Sequence, residues 1–143
     1  FIALLALVNK GLSWLPAIGG ETVSLSYLLS YVFMPFMWAM GLPWSEAHAA
    51  GTLMATRMIL NEIVSYQQLA TLAPGVLSPK SSLMMVYAMC GFANIGSLGI
   101  MLAAYNVLIP ARRSEFLSMA PRSLLAGTIV TCITATLVGA FFI

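Results

Sequence analysis

The chain has 143 residues, 61% hydrophobic and 7% charged, with a mean hydropathy of +0.97; ordinary globular domains are about 45–50% apolar and about 25% charged, so a soluble domain is excluded. Four glutamates and no aspartate against six lysines and arginines give a net charge of +2, too little to neutralise a phosphate backbone or hold a disordered tail open, which excludes nucleic-acid binding and disorder. An apolar stretch already runs from Ile2 to Val8, with no initiator Met and no basic leader before it, so no signal peptide is expected and the chain reads as a piece of something longer.

Charges punctuate the sequence, and the uncharged runs between them can be set against the roughly 20 residues an apolar helix needs to cross about 30 Å of hydrocarbon. Thr22 to Ser45 is uncharged over 24 residues and could cross. Yet Ser26, Tyr27, Ser30 and Tyr31 share one helical face, and Trp38, Gly41, Pro43 and Trp44 close the segment, which favours a helix lying in the headgroup interface. Glu46 to Pro79 is a poor spanning segment, since it carries Arg57, Asn61, Glu62, Gln67 and Gln68 before the turn residues Ala73-Pro74-Gly75 and Ser78-Pro79. Helices over Ser45–Leu60 and Ile63–Ala73, about 24 and about 16 Å long, would make a re-entrant hairpin turning at Asn61-Glu62.

Ser81 to Ala111 has 31 uncharged residues, about 46 Å as one straight helix and too long for the bilayer core. Gly91-Phe92-Ala93-Asn94-Ile95-Gly96-Ser97, with Gly99 beyond, is the expected break. Ser123 to Ile143, 21 uncharged residues after Pro121-Arg122, reads as a plain spanning helix that starts at the proline. Arg112, Arg113 and Arg122 flank the connection between these last two runs, so the positive-inside rule puts it in the cytoplasm and the C-terminus outside.

Glu62 is the most informative residue, because a charged side chain in an apolar segment costs several kcal/mol unless something compensates it (translocon scales give about 2.5–3.5 for Asp, Lys or Arg). Two readings stand. Glu62 pairs with Arg57, although five residues turn a helix by about 500° and separate the two side chains by about 140°, or it accepts hydrogen bonds from a polar solute. Phe92, Asn94 and Ser97 likewise either serve a solute at unwound backbone or belong to close small-residue packing with Gly91, Gly96 and Gly99. Together, Glu62 and Asn94 offer acceptors and donors for hydroxyl groups and Phe92 an apolar ring, which suits a small, polar, ring-bearing solute.

Cys90 and Cys132, 42 residues apart, read as packing residues, and the ten methionines as flexible filling rather than metal ligands. His48 reads as a solvated interfacial side chain. No catalytic set, phosphate loop or metal motif appears, so neither an enzyme, a metal site nor a bound cofactor is expected.

Asn61-Glu62-Ile63-Val64-Ser65-Tyr66-Gln67-Gln68-Leu69, Leu77-Ser78-Pro79-Lys80-Ser81 and Cys90-Gly91-Phe92-Ala93-Asn94-Ile95-Gly96-Ser97-Leu98-Gly99-Ile100 resemble the C-terminal part of the concentrative nucleoside transporters, and Met34-Pro35-Phe36-Met37-Trp38-Ala39-Met40-Gly41 resembles the helix before their second hairpin. The resemblance covers nearly the whole chain. It implies an all-α membrane protein, half of an inverted-repeat transporter, with the end of a scaffold helix at 1–10, an interfacial helix at 22–42, a re-entrant hairpin at 45–73, a broken transmembrane helix at 81–109 and the last transmembrane helix at 121–143. It further implies that Glu62, Asn94 and Ser97 bind the ribose of a nucleoside such as uridine while Phe92 packs against the base.

Also implied are a homotrimer in the plasma membrane, the inner membrane if bacterial, and symport by alternating access driven by sodium or protons. The coupling-ion site and the base-recognising first hairpin would lie outside this sequence, which leaves ion and base preference unspecified. Ile63 stands where the family usually has Phe. The rival from another class is a non-transporting membrane subunit or assembly module with a structural Arg57–Glu62 pair; a passive channel is a third reading.

Overall fold

The computed structural model describes residues 2–17 and 22–142; Phe1 and Ile143, the outer ends of the first and last expected helices, lie outside them. Of the described residues, 79% are helical. Its helices, among the described residues, are α1 (Ile2–Leu12), α2 (Leu25–Ala39), α3 (Trp44–Ile59), α4 (Glu62–Thr71), α5 (Pro79–Met89), α6 (Ile95–Leu108) and α7 (Arg113–Ala140), with a 3₁₀ turn at Pro110–Arg112.

At 15 residues, α2 is about 22 Å long and does not span hydrocarbon. Ser24 caps its start by accepting from the Tyr27 amide. It stops where Gly41 and Pro43 led us to expect. Gly41 adopts φ +102°, its amide donates to the Trp38 carbonyl, and the Leu42 amide reaches back to the Met37 carbonyl, the paired bonds of a Schellman ending with Met37 and Leu42 buried beside them.

The polar stripe of α2 is divided: Tyr31 is exposed and Ser26 half-buried. Tyr27 and Ser30 are buried against α3, whereas Leu28, Val32 and Phe36 lie on the outside. His48 of α3 sits within this stripe, its ring 5.1 Å from both the Tyr27 and Tyr31 rings and its Nε2 3.1 Å from Ser30 Oγ. The Ser30 hydroxyl also reaches the Tyr27 carbonyl, so it joins His48 to the main chain of α2. His48 is thus hydrogen-bonded and in ring contact while half-buried at the edge of an open groove.

α3 and α4 form a helical hairpin whose turn is only Leu60 and Asn61. The hairpin packs on α2 through α3 and on α5 through both arms, while α5 and α6 both pack on α7. Methionine fills the core between these helices: Met37, Met54, Met84, Met85 and Met89 are essentially inaccessible, as expected of an unbranched side chain that adapts to irregular gaps.

One boundary is corrected. The last helix runs from Arg113 through Pro121, eight residues before the expected start at 121. Proline at 121 removes one internal hydrogen bond, toward Leu117, and 28 residues of helix absorb that loss.

Gly51 sets the α2–α3 approach. A β-carbon there would lie 2.7 Å from the Ser30 carbonyl oxygen, a backbone atom with no freedom to yield. Gly51→Ala should therefore cost about 1–3 kcal/mol by overpacking, while Gly99→Ala in α6, with nothing within 4 Å, should be neutral or stabilising by up to about 1 kcal/mol. Thermal unfolding of the two purified variants in the same detergent checks the opposite signs.

Candidate functional site

Two interruptions of helix meet at the centre of the chain. At the hairpin turn, Asn61 is extended (φ −166°, ψ 174°) and its Oδ1 accepts from the Val64 amide at 3.0 Å, capping α4. Glu62 follows as the first helical residue, so its carboxylate lies at the positive end of a ten-residue helix, which stabilises negative charge there. Glu62 Oε2 is buried with no hydrogen-bond partner among the described residues.

The second interruption, Cys90 to Asn94, separates α5 from α6 as the glycine-rich string led us to expect. It is built from two tight turns. The Gly91 amide donates to the Met89 carbonyl at 2.8 Å and the Asn94 amide to the Phe92 carbonyl at 2.9 Å; Cys90, between the first pair, has φ −73° and ψ 68°, the geometry of an inverse γ-turn. Asn94 then caps α6, its Oδ1 accepting from the Ser97 amide at 2.7 Å. This bond fixes the orientation of the side-chain amide. The oxygen is committed to the backbone, and the NH₂ end remains a donor for something else.

The turn and the break touch. A β-carbon on Gly96 would lie 3.4 Å from Asn94 Oδ1 and 4.0 Å from the Leu60 carbonyl oxygen, so the first turn of α6 rests against the hairpin tip. Phe92, Asn94 and Ser97 line one open groove of about 300 Å³ together with Ala93, Leu98, Met101 and, from α7, Ser123 and Leu124. Phe92 projects into the open, 79% exposed. Glu62 does not line this groove; it belongs to the adjoining tip.

Arg57 does not form the ion pair considered for it. Among the described residues the one ion pair is Arg112–Glu115, at 2.6 Å on the surface. Arg57 is completely buried and directs Nε and Nη2 at the Gly91 carbonyl, at 3.2 and 3.0 Å. Two further residues tie the hairpin to α5: Ser65 Oγ lies 2.7 Å from the Leu53 carbonyl and 2.6 Å from Met89 Sδ, and the Tyr66 hydroxyl donates to the Val86 carbonyl at 2.7 Å. None of these three roles was read from the sequence, because each partner is a main-chain carbonyl or a methionine sulfur that any residue pattern could supply. The described residues contain no cluster of His, Cys, Asp and Glu that could hold a metal ion.

Comparison with known proteins gives a consistent result. A family model described as the Na⁺ dependent nucleoside transporter C-terminus matches residues 1–139. The uncharacterized transporter YutK of Bacillus subtilis is 37% identical over 99% of this chain and 35% of its own length. Human solute carrier family 28 member 3 is 34% identical over 97% of this chain and 22% of its own length. The chain thus spans about a third or less of these relatives. Among solved structures, CNTnw in an inward-facing substrate-bound state superposes with a TM-score of 0.81 at 29% identity, over 97% of this chain and 35% of that one. A variant of the same protein in an outward-facing state gives 0.79 at 28% identity, over 97% and 34%.

The cap at the hairpin tip is directly testable. Asn61→Ala removes the acceptor for the Val64 amide and should cost about 1 kcal/mol, whereas Asn61→Ser, which can cap, should recover most of it. Denaturant titration of the purified variants measures the difference.

Proposed function

We propose a function from one premise: the chain belongs to the family of Na⁺-dependent nucleoside transporters and corresponds to their C-terminal part. Our reading is that the complete protein moves nucleosides into the cell by secondary active symport, driven by a sodium or proton gradient, with alternating access. The observation that carries this reading is the juxtaposition of two capped helix starts. One presents a buried carboxylate oxygen without a partner, Glu62 Oε2, and the other an amide held so that its NH₂ end is free, Asn94.

A sugar hydroxyl is both donor and acceptor, so neighbouring hydroxyls can donate to Glu62 while accepting from Asn94, with the Ser97 hydroxyl able to do either. A neutral solute of this kind meets the carboxylate without bringing a charge into the membrane. Phe92, exposed beside Asn94, offers a face for the flat, less polar base. Binding would thus satisfy the polar atoms that are expensive to leave bare in hydrocarbon, and that is the physical reason a solute site and not a structural pair fits Glu62.

In the membrane, α7 together with the preceding 3₁₀ turn is long and apolar enough to span. In our reading α2 lies at the interface, the α3–α4 hairpin re-enters, and α5 with α6 forms the broken helix. Arg112, Arg113 and Arg122 face the cytoplasm, the C-terminus lies outside, and the protein works as a homotrimer in the plasma membrane, the inner membrane in a bacterium. The similar superposition on inward- and outward-facing CNTnw, 0.81 and 0.79, supports a piece that keeps its internal arrangement while accessibility changes. The rival assembly module rests on an Arg57–Glu62 pair, and Arg57 instead directs Nε and Nη2 at the Gly91 carbonyl, while Nη1 and Glu62 Oε2 each remain without a partner among the described residues.

In the complete protein, Glu62→Gln and Asn94→Ala should each abolish concentrative uridine uptake while leaving the amount at the cell surface unchanged. Radiolabelled uptake with surface biotinylation is the measurement, and parental uptake by both variants would remove the site assignment.

A further inference from the structure

The hairpin carries a second ionisable side chain that the solute site does not use. Arg57 is fully buried, and two of its nitrogens converge on one acceptor, the Gly91 carbonyl. Such burial is costly unless the charge meets good geometry, and here it meets the negative end of a helix. Gly91 lies one residue past the C-cap of α5, near the end of the helix dipole where cations are favoured, and Nη1, the third guanidinium nitrogen, is left without a partner among the described residues.

One residue from each arm of the hairpin thus holds this region: Tyr66 satisfies a carbonyl in the last turn of α5, at Val86, and Arg57 holds the carbonyl of Gly91 just beyond it. The fit is close on all sides. A β-carbon on Gly91 would stand 2.7 Å from Arg57 Nη2 and 2.7 Å from Thr131 Cγ2 of α7, so glycine is what lets the guanidinium reach the carbonyl between α3 and α7.

We infer that Arg57 is a positioning residue for the solute site: by clamping the Gly91 carbonyl it fixes the two tight turns that aim Phe92 and Asn94, and it locks that break to the hairpin bearing Glu62. Gly91 is one residue from Phe92 and three from Asn94, and the turns between them hold one short-range amide bond each. Released from the guanidinium, this segment has little to keep its conformation, and the acceptor on Glu62 and the donor on Asn94 lose their common register. Preorganisation of that kind shows in affinity. The inference rests on the nucleoside-binding reading above.

The test uses the complete protein, with uridine uptake kinetics, surface amount and hydrogen exchange measured on parent, Arg57→Met and Arg57→Lys. Methionine keeps much of the length and loses the donors; lysine keeps the charge but offers one nitrogen where arginine uses two. We expect Arg57→Met to raise KM about tenfold or more and Arg57→Lys about two- to fivefold, at parental surface amount, with amide exchange across residues 91–97 accelerated in the same order. A parental KM in both variants, with only maximal rate or surface amount reduced, would overturn the inference and leave Arg57 a purely structural residue. Should Arg57→Met fail to reach the surface, Arg57→Lys alone decides on the same criterion. If the parent itself shows no saturable uptake, the nucleoside reading fails separately, and the exchange data still decide whether Arg57 holds the break: unchanged exchange in the lysine and methionine variants would refute it.

Discussion

Everything in this chain depends on how helix ends are satisfied where water is scarce. An α-helix leaves four amides bare at its start and four carbonyls at its end, and in hydrocarbon each unsatisfied group costs several kcal/mol. A protein that interrupts helices at the centre of its fold must therefore supply partners locally. This one does so with asparagine at the starts, Asn61 and Asn94, and with arginine and tyrosine at the end of α5, Arg57 and Tyr66. The choice is physically apt: asparagine offers an acceptor to the amides without adding a negative charge, and arginine offers several donors to a carbonyl at the negative end of a dipole.

From this constraint the site follows. Once the Asn94 oxygen is committed to the Ser97 amide, the nitrogen is oriented without any further contact. Once α4 starts at Asn61, Glu62 is its first residue and its charge lies at the favourable end of the helix. The residues that cap the helices and the residues that would meet a solute are thus the same or adjacent, and one small deformation of the break would disturb both.

Much of this was legible in the sequence, and the limits have specific causes. The hairpin turn at Asn61-Glu62 and the break at Gly91–Ser97 were readable because a charge in an apolar run and a cluster of glycines beside Asn are each expensive in an uninterrupted membrane helix. The stop of α2 was readable from Gly41 and Pro43. Periodicity put Ser26, Tyr27, Ser30 and Tyr31 on one face but carries no sign, and part of the stripe, Tyr27 and Ser30, turned inward beside His48 while Tyr31 stayed exposed. Pro121 looked like a helix start because proline is at home there, yet a long helix tolerates the loss of one bond. Arg57 was visible as a candidate partner for Glu62; its actual partner, a carbonyl, leaves no trace in residue identity.

The inward stripe has a consequence for how α2 can sit. With Tyr27 and Ser30 spent on α3, the face that α2 turns outward carries Leu28, Val32 and Phe36 together with Tyr31, and Trp38 near its end pairs with Trp44 at 6.3 Å. A helix too short to cross, apolar on the outside and ended by two indoles suits the boundary between headgroups and acyl chains better than either deep hydrocarbon or open water, since indole is favoured where one edge is apolar and the other wet. The interfacial placement proposed for α2 therefore does not need its whole polar face to meet water. That proposal rests on length and on the tryptophans, while Tyr27 and Ser30 fasten α2 to the first arm of the hairpin.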